Sequence, residues 1–278
     1  MGLPGDWYYN KVMSATNHQG VFTAALIVEV IVALGLFAGF LWQKYERPAA
    51  FHPLVTVRVL FIGNSFTSVN DLPGTVNDIA RSLGNQVDYD MSAPGGYSFS
   101  QHVTNQDTLS KINEQKWDFV VLQEQSEMPA FPGRQLSQVT TPYAVQLTNL
   151  IHQHDPSTKV LLYETWGYKN GDSNNCPNLP NFCSYSSMQK LLREGYAELA
   201  TATGADEALV GDAWERSQAE HPEIDLYESD AKHPSVQGTY LTACVFYQSI
   251  FGKSPVGASK LSLSAGQAQA LQAVAVEE

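Results

Sequence analysis

The stretch "VRVLFIGNSFTSVND", Val57 to Asp71, decides the fold. A run of β-branched and apolar residues stops at Gly63, and a small polar cluster follows at once: Asn64, Ser65 and Thr67 around Phe66. The run lacks the alternation of a half-exposed strand, so it suits a central parallel strand covered on both faces. Its abrupt end presents Ser65 where the chain leaves the sheet. A serine there is either a turn residue or a nucleophile in need of a histidine.

The same rhythm continues downstream. "DLPGTVNDIARSLG" predicts a helix capped by Asp71, with Pro73 in its first turn and Gly84 at its end. "NQVDYDMSAPGG" reads as a second strand ending in glycines, "WDFVVLQ" as the third, "KVLLYETW" as the fourth and "ALVGDAW" as the fifth. Helical segments stand between them, among them "YAVQLTNLIHQH" and "SSMQKLLREGYAELATATG", and "SVQGTYLTACVFYQSIFG" follows the last. Strands alternating with helices of this length imply right-handed crossovers and a parallel sheet covered on both faces, an α/β class. Ligands of such sheets bind beyond the carboxyl ends of the strands. The places to look are therefore "GNSFT", "APGGYS", "QEQSE", "ETWGY" and "DAWER".

The expected organisation is a flank over 1–20, an apolar span over 21–42, a two-proline linker over 43–54, a globular domain over 55–256 and a tail over 257–278 whose Ala/Gln-rich part reads as a terminal helix prone to fraying. Val21 to Trp42 holds 22 residues with a single charge, Glu29. A bilayer-spanning helix needs about 20 mostly apolar residues. An uncleaved membrane anchor is the first reading, a signal peptide the second and a buried core helix the third. Lys44, Arg47 and Arg58 after the span slightly favour a cytoplasmic domain by charge counting. Cys176 and Cys183 argue the other way. They bracket the loop "CPNLPNFC" and read as a disulfide, which requires an oxidising compartment. The disulfide outweighs the charges, so the domain is expected to face the periplasm or the cell exterior, with secretion as the alternative. Cys244, in an apolar helical stretch, reads as a buried thiol.

The 278-residue chain is 44% hydrophobic, enough for a sizeable core, and carries a net charge of −12. No basic run appears, and such a surface repels phosphate backbones, so nucleic acid is excluded as an expected partner. There is no G-x-S-x-G elbow, no glycine-rich phosphate loop, and no H-E-x-x-H or His/Cys cluster. No metal and no cofactor are expected.

A serine hydroxyl becomes a nucleophile when a histidine takes its proton, and that histidine needs a carboxylate to hold its ring. Of the seven histidines, His233 stands apart. It lies in "ESDAKHPSVQG", after the last strand and before the last helix, with Asp230 three residues earlier. One turn brings that carboxylate to the imidazole and leaves the other ring nitrogen facing outward. His102, six residues beyond the glycine-rich strand end, reads as a packed structural histidine.

Together these residues resemble the SGNH (GDSL-type) hydrolases. "FIGNSFT" resembles the family's first block, with Ser65 as nucleophile and Asn64 where an aspartate is usual. "APGGYS" resembles the second block and makes Gly96 an oxyanion donor; "DAKHPS" resembles the last and supplies Asp230 and His233. The usual G-x-N-D third block is absent, and "VVLQEQSE" stands in its place, with Gln123, or else Gln125, as the side-chain oxyanion donor; alternatively Gln123 only caps the strand end and the Ser65 and Gly96 amides form the hole alone. The resemblance spans about residues 55–253. It implies a three-layer α/β/α sandwich with a five-stranded parallel sheet, flavodoxin-like, and a Ser–His–Asp esterase acting on small-molecule or glycan esters. Asn64, Gln125 and Trp166 are further pocket candidates, Trp166 reading equally as a sugar-stacking ring or as a core or rim tryptophan. A non-catalytic carbohydrate-binding or scaffold protein on the same fold, and an acyltransferase to surface glycans, are the alternatives.

Overall fold

The computed structural model describes residues 54–276. The flank, the apolar span and the linker up to residue 53 lie outside the described residues. Among those described, no helix is long and apolar enough to cross a membrane.

Five strands form one parallel sheet: β1 (Val55–Ile62), β2 (Asn85–Ser92), β3 (Phe119–Leu122), β4 (Lys159–Tyr163) and β5 (Asp206–Ala208), in the order β2-β1-β3-β4-β5. β1 pairs with β2 from Val55↔Asn85 to Ile62↔Ser92 and with β3 from Val59↔Phe119 to Ile62↔Leu122. Val59–Ile62, Val120–Leu122 and Leu162–Tyr163 are fully buried, as strands covered on both faces must be.

The helices are α1 (Ser65–Ser68), α2 (Leu72–Ser82), α3 (Phe99–His102), α4 (Gln106–Glu114), α5 (Gly133–Val139), α6 (Thr141–His154), α7 (Tyr185–Thr203), α8 (Val210–Glu220), α9 (Val236–Phe251) and α10 (Ala265–Val274). Helices α2 and α9 pack on each other, while α4, α6 and α7 pack in sequence. Right-handed crossovers explain the division: the β1–β2 connection runs one way along the sheet, and the later connections run back the other way over the opposite face. The expected caps are present, since Asp71 accepts from Gly74 N–H and Pro73 lies in the first turn of α2.

Two expectations are corrected. "ALVGDAW" is not the fifth strand: β5 ends at Ala208, and Val210 to Trp214 open α8. Position 211 explains why the helix packs so tightly against the end of β4. A Cβ on Gly211 would lie 2.3 Å from Thr165 O and 2.6 Å from Glu164 Oε1. The C-terminal segment forms the expected terminal helix, α10, and this helix packs rather than frays. Leu271 of α10 is fully buried, and Gln272 Nε2 donates to Tyr240 Oη at 2.7 Å and to Ala258 O at 2.9 Å. Cys176 and Cys183 are joined by a disulfide in the loop after β4, and Cys244 is a buried free thiol.

Candidate active site

At the carboxyl edge of the sheet the backbone is held on several sides. Gly63 N–H donates to Ser92 O at 3.0 Å, and Gln123 N–H to Ile62 O at 2.9 Å. Asn64, buried, caps α1: its Oδ1 accepts from Phe66 N–H at 3.1 Å. Its Nδ2 donates to Tyr97 O at 2.9 Å, tying down the loop that carries Gly96. Beneath it, Gln123 Oε1 accepts from Asn64 N–H at 2.9 Å and from Thr67 Oγ1 at 3.0 Å. Position 63 has no room for a side chain, because a Cβ there would sit 2.5 Å from Thr67 Oγ1 and 2.6 Å from Gln123 Oε1. His102 is fully buried. Its Nε2–H donates to Gly63 O at 2.8 Å, and its Nδ1 accepts from Thr108 Oγ1 at 2.8 Å. That pairing fits a neutral ring, and burial does lower its pKa, outweighing the Gly63 hydrogen bond. The result is a rigid seat that leaves Ser65 half-buried at the first position of α1.

The second element is a turn between α8 and α9. Asp230 Oδ1 accepts from Lys232 N–H and His233 N–H, both at 3.0 Å, while Oδ2 meets His233 Nδ1 at 2.5 Å. His233 Nε2 meets Ser65 Oγ at 2.8 Å. A carboxylate can only accept, so Nδ1 carries the proton and the Nε2 lone pair of a neutral ring faces the serine hydroxyl. Burial raises the Asp230 pKa, but the hydrogen bonds from the His233 ring and the two backbone amides outweigh it. The net pKa lies below the usual carboxylate value. Phe66 presents its edge to the His233 ring at 5.4 Å.

The structure thus brings Ser65, His233 and Asp230 into one hydrogen-bonded chain. It places other expected site residues differently. Gln123 is fully buried, and its amide is used internally. Oε1 must face the Asn64 N–H, so Nε2 faces Glu124 O, to which it donates. A flip would set two donors against each other, so in this arrangement Gln123 braces the serine turn and offers no side-chain donor to an oxyanion. Gln125 Nε2 is bound to Glu127 Oε2 at 2.8 Å, where Tyr168 Oη also donates, at 2.6 Å. Trp166 is fully buried and cannot stack on a sugar. It lies parallel to Trp214 at 3.7 Å and to Phe66 at 4.7 Å, and its Nε1–H donates to Lys232 O at 3.0 Å. Gly96 is exposed with φ +74. The Gly96 and Ser65 amides donate to no group among the described residues.

Sequence reasoning passed over two neighbours. Glu124 is fully buried, with Oε1 accepting from Phe99 N–H at 2.9 Å and Gln125 N–H at 2.6 Å. Burial pushes its pKa up to about 7 despite those amides. Asn70 adopts φ 56, and its side chain reaches the base turn. The one sequence signal for it was its type, since asparagine tolerates a left-handed backbone better than most residues.

No family model matches the chain, and no curated protein matches it. Solved structures do. A DUF4886 family protein from Bacteroides uniformis is 18% identical with a TM-score of 0.67, over 79% of this chain and 93% of that one. A protein from Slackia heliotrinireducens, provisionally assigned as an SGNH hydrolase, is 25% identical with a TM-score of 0.58, over 69% of this chain and 98% of that one. These likenesses are of fold: the chain has an SGNH-hydrolase-like α/β fold, with Ser65 just beyond β1 and His233 in the turn before α9.

Proposed function

We propose that the protein is a serine esterase whose nucleophile is Ser65, whose general base is His233 and whose orienting carboxylate is Asp230. The observation that carries the reading is the unbroken chain from Asp230 Oδ2 through the imidazole to Ser65 Oγ, at 2.5 and 2.8 Å. Nε2 takes the hydroxyl proton as Oγ attacks the ester carbonyl carbon. The tetrahedral oxyanion forms at the head of α1, where the Ser65 amide has no partner among the described residues, and the Gly96 amide is the second donor. Collapse breaks the carbon–oxygen bond to the alcohol, which leaves with the proton held on Nε2. Water, deprotonated by the same nitrogen, then releases the acid and restores Ser65.

Small-molecule or glycan esters are the substrate class, and the apolar span over 21–42 and the Cys176–Cys183 disulfide support an anchored domain outside the cytoplasm. The serine–histidine contact favours this reading over a non-catalytic carbohydrate-binding module. A fluorophosphonate probe tests it. Wild type should be labelled and should hydrolyse short acyl esters, whereas Ser65→Ala and His233→Ala should do neither. A folded wild type that resists the probe would overturn the proposal.

A further inference from the structure

Asp230 and His233 lie near the surface, with side chains 46% and 32% exposed, so burial does not fix the angle of the ring. The backbone of their turn is fixed instead. Three consecutive carbonyls are each held by a donor. Lys232 O accepts from Trp166 Nε1–H at 3.0 Å, His233 O from Glu228 N–H at 2.9 Å, and Pro234 O from Asn70 Nδ2 at 2.9 Å. The Glu228 bond is internal to the turn. The other two come from the side of the molecule that carries the serine. Asn70 follows Ser65 by five residues, and Trp166 is stacked face to face on Phe66, the residue after Ser65. Asn70 reaches across because its backbone is left-handed (φ 56, ψ 19), a region that L-residues other than asparagine and aspartate rarely occupy. Its Nδ2 also donates to Thr239 Oγ1 at 3.1 Å, which fixes the amide against α9.

The geometry points to Asn70 and Trp166 as a pair of positioning residues that clamp the peptide carbonyls on either side of His233 and so hold Nε2 within reach of Ser65 Oγ. Neither touches the reacting atoms. The inference rests on the esterase reading, because a ring that takes no proton needs no such registration. A base displaced by a fraction of a hydrogen-bond length takes the serine proton poorly and returns it poorly to the leaving alcohol.

The test uses the full chain with two variants that keep the local shape. Asn70→Gly preserves the left-handed backbone and removes the donor; Trp166→Phe keeps a ring in the stack and removes the N–H. Misplacing reacting groups by about 1 Å costs on the order of 100-fold, so kcat should fall roughly 10–100-fold in each variant. KM should stay within about twofold, because substrate binding is untouched. The loss should be larger for an alkyl acetate than for p-nitrophenyl acetate, since an alkoxide needs the His233 proton and p-nitrophenolate does not. Folded variants with wild-type kcat, or with a change confined to KM, would overturn the clamp. Should Trp166→Phe fail to fold, Asn70→Gly decides alone. Labelling of wild type separates the two failures: an unlabelled enzyme removes the esterase reading, whereas a labelled enzyme with unaffected variants removes the clamp only.

Discussion

Ser65 and His233 meet at 2.8 Å, yet the two sides of that contact are built in opposite ways. The serine side is core. Asn64, Thr67, His102 and Gln123 are all buried, and each polar group has an internal partner. The histidine side is a surface turn with an exposed aspartate, held through backbone carbonyls. A buried polar group stripped of its partner costs stability, whereas an exposed one returns to water. Changes under the serine should therefore unfold the domain, and changes at the histidine turn should silence it while leaving it folded.

Asp230→Asn should give the largest effect. The amide oxygen would keep both backbone N–H groups, but its NH2 would face Nδ1 and drive the ring proton onto Nε2, where it cannot accept from serine. Such a tautomer reversal costs roughly 10⁴-fold in kcat where it has been measured in serine proteases. Ester hydrolysis together with a thermal melt should show that loss with only a small fall in the transition, since the ionised carboxylate of this exposed residue contributes little to stability. Gln123→Leu should do the reverse. It strands the Asn64 amide, the Thr67 hydroxyl and the Glu124 carbonyl in the core, at about 1–3 kcal/mol for each group left unpaired. Urea unfolding should show a stability loss of about 2–4 kcal/mol, with some groups recovering partners. A Gln123→Leu protein as stable as wild type would break the contrast.

The contrast extends to pH dependence, where the two sides have opposite signs. Glu124 keeps its proton up to about 7 when folded, against an ordinary value of 4.5. The unfolded chain therefore releases that proton first, and stability falls as pH rises between those values. Asp230 is held below its ordinary value, so its contribution is present above about pH 4 and disappears as pH falls further. Glu124→Gln should flatten the loss of stability from about pH 4.5 to 7, and Asp230→Asn should change the profile only on the acid side. Thermal melts across pH 3 to 8 measure both on one set of samples.

Legibility in the sequence follows the same division. The Asp230–His233 spacing could be read because a three-residue turn is local, and the strand before Gly63 because Val59–Ile62 is an unbroken apolar run. The fifth strand was misread because a short apolar run does not distinguish strand from buried helix. What decides it is the close approach of Gly211 to the end of β4, which only the packed structure reveals. Gln123 was placed correctly at the end of β3, but the direction of its amide depends on the Asn64 N–H from another strand. Trp166, at a strand end, reads equally as a pocket ring or a core ring, and its stacking with Phe66 and Trp214 decides for the core. Asn70 was hidden because its partner lies 164 residues away.

Sequence distance also sets a schedule. Ser65 and His233 are 168 residues apart, and β1 is assembled between neighbours that are both made after it. At ordinary synthesis rates about 10–30 s separate the emergence of the two residues from a ribosome. On the esterase reading the hydroxyl has no base throughout that interval, so a nascent chain cannot yet attack esters. On the proposed reading, reactivity switches on only when the last turn docks, so completion of the fold and onset of chemistry are a single event.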